Sequence, residues 1–313
     1  SEQLLWTCRS ASASEENSTV PIADFDRVSF RTAFLKLIKQ SWSPQSSLSW
    51  YLVVDDYVCR NLTDESDRLP AFSGIAREVS KHSGYAYKAG LWEEDMPRGL
   101  LWSSFGSTQN GPTGEAPSWS WAAMKFSPPS KANKGRGPYH QFAGMWKYDS
   151  IYRQSDAQIV AIDITYADGD VHGRVSRGAL SIRGRCISAT DLISGSTLPL
   201  YKSSDAELPS YTPTQRLTSP RDPKHIINEL DHKTDWKRGW SEDEYCSWFE
   251  TQVMYLQLAK LDGTSSGIPP KLYALILQPT GISGEYRRRG IARIPEVDGM
   301  AEKGWEVQTI TLL

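Results

Sequence analysis

The sequence predicts an α+β protein in which a helical layer is followed by an antiparallel β-rich sheet, sandwich or open barrel. Before residue 125, apolar residues recur every three or four positions, as they do along one face of a helix. From about residue 150, apolar and polar residues alternate with a period of two, and Ile, Val, Leu, Tyr and Thr are frequent. The change from helices to strands is therefore expected near residues 125–150.

Four segments in the first part of the chain are predicted to be helices: residues 26–42, 47–62, 69–82 and 93–102. In the first of them, Phe30, Phe34 and Ile38 recur at four-residue spacing and form one apolar face. In the second, Asp56 precedes Arg60 by four residues, so the two side chains can form an ion pair on the helix surface.

Six segments in the second part are predicted to be strands: residues 157–167, 178–188, 251–261, 271–280, 286–294 and 306–313. Two polar segments, residues 126–145 and 200–245, are long for loops in a compact domain, and we interpret them as mobile, functional or inserted segments. The first ten residues already alternate as a strand does, so we expect the chain to begin inside a longer polypeptide.

Composition excludes several classes of function. The 313 residues carry a formal net charge of −2, which argues against nucleic-acid binding. The four cysteines lie far apart with no Cys-x-x-Cys pair, so neither a zinc site nor a disulfide framework is expected. The apolar runs are too short to span a membrane. We therefore expect a protein of the reducing cytoplasm that binds no metal and no cofactor.

The aromatic residues pose the main question about a site. Trp92, Trp102, Trp119 and Trp121 are concentrated in one short part of the chain, and Tyr87 lies close by. Trp119 and Trp121 are two residues apart, so they share a face if that segment is extended. Residues of this kind suit both cores and ligand clefts. We expect core packing first, and a ligand pocket at the junction of helices and sheet second.

Three consecutive acids, Glu93, Glu94 and Asp95, are interpreted as a helix N-terminus, where acids complement the helix dipole. Adjacent residues on a helix point in different directions, so three in a row rarely converge on one atom. The consecutive acids could otherwise serve as a general acid–base or metal-binding cluster. If the region is catalytic, Arg60, Asp95 and His140 are the candidates to converge on a bound substrate as hydrogen-bond donors or acids.

Interface anchors are expected in two places, because protein interfaces favour tryptophan and arginine. The candidates are Trp236, Trp240, Trp248, Arg287 and Arg289. Strand alternation places Arg287 and Arg289 on one face and Arg288 on the other. We interpret all three arginines as solvent-facing charges on an edge strand, where they discourage aggregation.

Several ordered stretches resemble those of fungal heterokaryon-incompatibility (HET) domain proteins. They are SEQLLWTCRS, YLVVDDYVCRNLTDESDRLPAFSGIAREV, YKAGLWEEDMPRGLLW, APSWSWAA, YRRRGIARI and EVQTITLL. In that family a strand ending Trp-x-Cys-Arg closes the HET domain. The resemblance therefore implies three regions: residues 1–10 as the last strand of a HET-like domain, 11–125 as a helical region with the family motifs, and 126–313 as a β-rich C-terminal region.

The N-terminal motifs of the family, which belong to a part similar to Toll/interleukin-receptor domains, are absent from this chain. The resemblance implies a regulatory or scaffold region of a cell-death-associated protein, with its own N-terminal HET domain or another chain as partner. One alternative is a recruited enzyme of secondary metabolism, cyclase-like or pericyclase-like, with an aromatic pocket for a small hydrophobic substrate. A second alternative is part of a NAD-cleaving effector whose catalytic domain lies upstream.

Overall fold

The α+β class is confirmed by a computed structural model. It describes residues 5–7, 12–14, 30–39, 44–58, 62–103, 116–124, 141–142, 152–154, 157–194, 200–202, 226–230, 253–261, 271–295 and 304–313. Within these residues, four helices come first, and a nine-stranded sheet contains most of the chain after them.

The α-helices of the described residues are α1 (Phe30–Lys39), α2 (Pro44–Val58), α3 (Arg68–Ser83), α4 (Met96–Gly99) and α5 (Ala189–Ser194). The first two occupy the predicted segments with shifted ends. Helix α3 matches its prediction to within one residue at each end and stops at Gly84, whose φ of 74° is the left-handed conformation common after helices. None of the described helices is long and apolar enough to cross a membrane.

The helix predicted over residues 93–102 is wrong. Glu93–Asp95 form a single 3-10 turn, α4 continues for only four residues, and the chain enters a strand at Trp102. Pro97 suits the start of a helix, but Gly99 follows two residues later, and glycine is unfavourable inside helices.

In the described part of the chain, three two-stranded ladders lie outside the large sheet: β1 (Leu5–Thr7) with β2 (Ser12–Ser14), β3 (Tyr87–Lys88) with β4 (Leu91–Trp92), and β5 (Trp102–Ser103) with β6 (Gln141–Phe142). The large sheet contains β7 (Tyr152–Gln154), β8 (Gln158–Tyr166), β9 (Val175–Ser188), β10 (Leu200–Lys202), β11 (Ile226–Leu230), β12 (Met254–Leu261), β13 (Lys271–Pro279), β14 (Glu285–Pro295) and β15 (Glu306–Leu312).

Five strands of the large sheet form a closed ring. Strands β9, β12, β13 and β14 pair antiparallel in that order, and β15 pairs with both β14 and β9. The β14–β15 pairing is parallel and short, joining Glu285 to Thr311. The six predicted strands are confirmed as β8, β9, β12, β13, β14 and β15.

One expectation about the strands needs correction. Strand β14 is not an edge strand, because β13 pairs with it on one side and β11 and β15 each pair with part of its other side. The long polar segments contain short strands, β6 in residues 126–145 and β10 and β11 in residues 200–245. The other residues of these two segments lie outside the described part of the chain.

One hydrophobic cluster extends from the helical layer into the sheet. It includes Trp50 of α2, Phe72 of α3 and Leu275 of β13, all fully buried. A second cluster packs on the opposite face of β13 and includes Ile276. Strand β13 therefore buries both faces, which explains why its residues form an unbroken apolar run rather than an alternating one.

The helical layer meets the sheet at Gly178 of β9. A Cβ added at this glycine would overlap the ring of Pro117, so only glycine leaves room for the proline.

The glycine requirement can be tested with two matched substitutions. Gly178→Ala should lower the free energy of unfolding by about 1–3 kcal/mol, the usual cost of extra volume in a packed core. Gly74→Ala on α3, where an added Cβ meets nothing within 4 Å, should raise it by about 0.5–1 kcal/mol. Urea unfolding of both variants measures the difference, and equal effects would contradict the assigned contact.

Candidate functional site

The four tryptophans of the candidate pocket are core residues. Trp92 lies in β4, Trp102 in β5, and Trp119 and Trp121 lie in residues 116–124, here called the 116–124 segment. None of their side chains is more than 1% exposed.

On one side, the 116–124 segment binds the β3–β4 hairpin. The indole nitrogen of Trp121 donates to the Gly90 carbonyl at 2.8 Å, and the Ser120 hydroxyl donates to the Ala89 carbonyl at 2.6 Å. The same hydroxyl accepts from the Ala122 amide at 3.0 Å. These three groups, the Trp121 indole, the Ser120 hydroxyl and the Ala122 amide, therefore each have a partner although this region excludes water.

On its other side, the 116–124 segment binds the sheet. The Ser118 amide donates to the Leu313 carbonyl at 2.9 Å, and its hydroxyl donates to the same oxygen. The Ser118 hydroxyl also accepts from the Arg288 amide at 3.0 Å. One serine thus joins the segment to β14 and to the end of β15.

Arg288 fills the space between the helical layer and the sheet. Its side chain is 3% exposed, and its guanidinium lies 3.4 Å from the centroid of the Trp102 ring. It donates to the main-chain carbonyls of Leu100 and Trp102. The Trp102 indole nitrogen in turn donates to the Trp119 carbonyl at 3.0 Å. A guanidinium suits this position because it is planar, stacks on aromatic rings and donates in a fixed plane.

The expectation that Arg288 faces solvent is therefore wrong. Alternation itself holds over these three residues, because Arg287 is exposed, Arg288 is buried and Arg289 is half-buried. The expectation fails because the face that Arg288 occupies is covered by Trp102 rather than open to solvent. A bulge lies at the same place: the strand partner changes from Gly290 at Ile276 to Arg288 at Leu277, which leaves Arg289 as an extra residue.

The neighbouring arginines behave differently from one another. Arg287 is exposed, as an interface anchor requires. Arg289 is half-buried and donates to the side-chain oxygen of Gln278 at 2.5 Å. The three other interface candidates lie outside the described residues: Trp236, Trp240 and Trp248.

Further aromatic rings surround the tryptophans. Trp50 lies 4.7 Å from Trp92 and 5.2 Å from Phe72, measured between ring centroids. Phe72 lies 5.6 Å from Trp121, and Tyr87 lies 5.4 Å from Trp92. Burial raises the pKa of the Tyr87 phenol, which therefore stays neutral. Trp50 was not predicted as a site residue. The sequence feature that indicates its role in the aromatic core is its position on the apolar face of α2.

The three consecutive acids do not converge. Glu94 accepts from the Ala86 amide at 3.0 Å, whereas Asp95 accepts from the Tyr51 hydroxyl. Glu93 is exposed. Asp95 thus positions Tyr51 between α2 and α4, which is a structural contact rather than an arrangement for proton transfer to a substrate.

A small cleft, open to solvent and with a cavity volume of about 10 Å³, lies between the start of α3 and the sheet. Eight residues line it: Glu65, Ser66, Arg68, Leu69, Ala116, Ala122, Arg174 and Val175. None of the four tryptophans is among them, so the cleft is not the predicted aromatic pocket.

Two catalytic candidates, Arg60 and His140, lie outside the described residues. Within the described residues, no three His, Cys, Asp or Glu side chains converge in a way that could hold a metal ion. The thiol of Cys186 is buried, and burial raises its pKa to about 12, so it is a poor nucleophile at neutral pH.

Comparison with family models, with curated proteins and with solved structures finds no match for this chain. The likeness to HET-domain proteins therefore stays a prediction from the sequence. The interpretation of the site depends on its geometry alone.

Gly90 tests the contact between the β3–β4 hairpin and the 116–124 segment. Its φ is 97°, and an added Cβ would lie 2.6 Å from the Trp121 indole nitrogen. Gly84 also has a positive φ, 74°, but open space around it. Gly84→Ala should lose about 1–2 kcal/mol of stability from backbone strain, and Gly90→Ala about 1–3 kcal/mol more from the overlap. Equal losses on thermal unfolding would contradict the contact.

Arg288 and Arg287 form a second matched pair. Arg288→Met should cost about 3 kcal/mol or more, because two buried carbonyls lose their donor and the stack on Trp102 is lost. Arg287→Met should change stability by less than about 0.5 kcal/mol, as usual for exposed positions. Urea unfolding followed by tryptophan fluorescence measures both, and a mild effect of Arg288→Met would show that the guanidinium is not integral to the core.

Proposed function

We propose that this chain is the C-terminal regulatory or scaffold region of a fungal HET-type protein and has no catalytic site of its own. One observation carries the proposal. The stretches behind the resemblance are separated in the sequence, yet four of them meet around a fifth, the 116–124 segment. Trp121 packs on Phe72 and bonds to Gly90, while Ser118 contacts Arg288 and Leu313.

The chemistry of these contacts supports a structural role. Trp102 and Trp121 use their indole donors on main-chain carbonyls, and Arg288 uses its guanidinium in the same way. Groups engaged inside the core are not available to a substrate. An aromatic-pocket enzyme would need Trp92, Trp119 or Trp121 at the wall of a cavity, and no described contact favours that alternative.

A scaffold region acts through its surface. The partner in this proposal is the N-terminal HET domain of the same polypeptide or another protein chain in the cytoplasm. Of the anchors predicted from the sequence, Arg287 is exposed within the described residues. Arginine is favoured at interface centres because its planar head bonds and stacks at the same time.

The proposal is tested in a filamentous fungus by expressing this chain alone, a HET domain alone, and the two joined in one polypeptide. We expect growth arrest to require the HET domain and its extent to change when this chain is joined to it. The joined protein with Arg288→Met should lose that modulation. The joined protein with Arg287→Met should fold normally, so a change in its growth arrest would indicate a contact made by the exposed surface.

Three results would contradict the proposal. Growth arrest caused by this chain alone would give it an effector activity of its own. Release of nicotinamide when the purified chain is incubated with NAD⁺, followed by proton NMR, would make it an enzyme. No change in growth on joining the chain to the HET domain would remove the regulatory role.

A further inference from the structure

The turn between β8 and β9, residues 167–174, lies against the helical layer and is here called the β8–β9 turn. Arg77 of α3 donates to the Asp170 carboxylate at 2.8 Å. Arg174 donates to the Ser66 hydroxyl at 3.0 Å, just before α3. These polar contacts lie at the surface, where each contributes little on its own.

The buried part of this contact is His172. Its ring stacks on Tyr87 with centroids 5.3 Å apart and planes inclined by 19°. Its Nδ1 lies 3.7 Å from the Asp170 carboxylate, and its side chain is 12% exposed. Its Nε2 is buried and has no hydrogen-bond partner. A proton added at Nε2 would therefore be buried without an acceptor.

We propose that the β8–β9 turn is a proton-sensitive contact, seated on Tyr87 while His172 is neutral and released when His172 is protonated. This inference goes beyond the proposed function and does not depend on it, because it concerns only contacts within this chain. Release would uncover Tyr87 and detach the turn from α3.

Of the described groups that face His172, only His172 itself changes charge between pH 7.5 and 5. The His172 amide and Arg77 hold the pKa of Asp170 below its usual value, so Asp170 stays ionised. Arg77 stays cationic. Burial raises the pKa of Tyr87 and raises that of Tyr166 to about 12, so both phenols stay neutral.

The direction of the effect follows from the burial of His172. Burial, helped by the nearby Arg77, lowers the pKa of the seated imidazole from its ordinary 6.5, although Asp170 acts in the opposite sense. The released turn binds protons more readily than the seated one. The seated form of the turn is therefore fully favoured above pH 6.5. Below pH 6.5 the equilibrium constant for seating falls by up to about tenfold per pH unit, because release is coupled to the binding of one proton.

Hydrogen exchange with mass spectrometry on the full chain tests this, with rates corrected for the intrinsic effect of pH. Peptides covering residues 165–176 and 84–92 should lose protection together between pH 7.5 and 5. His172→Phe keeps a ring on Tyr87 and cannot titrate, so its protection should not change with pH. His82→Phe removes an exposed histidine of α3 and should behave like the wild type.

Protection that is independent of pH in the wild type would overturn the proposal, and so would an equal loss in His172→Phe. If His172→Phe does not fold, an NMR titration of the wild-type imidazole decides: a midpoint below 6.5 supports the proposal, and one at or above 6.5 overturns it. Neither outcome bears on the growth assay of the proposed function.

Discussion

The structure depends on the contact between the 116–124 segment and Arg288. The short β3–β4 hairpin of the helical layer has too little pairing of its own to be stable alone. The segment joins this hairpin to the sheet through Ser120 and Ser118, while Arg288 packs on Trp102 between the two layers. A buried cation is costly unless it is fully bonded, so this arrangement tolerates few changes.

The elements that the sequence predicted well are those whose residues show a regular apolar pattern. They are helix α3 and strands β8, β9 and β12 to β15, whose period and boundaries are visible in the residues. The prediction of a helix over residues 93–102 failed because Trp92 and Trp102 are buried in contacts with other elements. They pack against α2 and the 116–124 segment rather than along a common helix face.

The candidate site was less predictable than the fold. Spacing could bring Trp119 and Trp121 together, but whether they line a pocket depends on what fills the space between layers. The filling groups, Trp50 and Arg288, come from distant parts of the chain. Alternation correctly separated Arg288 from Arg287 and Arg289, but it could not show that the face of β14 with Arg288 is covered by Trp102. The close approach at Gly90 carries no sequence signal beyond the glycine itself.

The central claim is that the helical layer and the sheet fold as one cooperative unit through the 116–124 segment. Native-state hydrogen exchange at low urea concentrations tests it most directly, because it gives an opening free energy for each amide. The account predicts that the core amides of α3 and β9 open with the same free energy and converge on the global value. An α3 that opens at much lower free energy while β9 stays protected would contradict it.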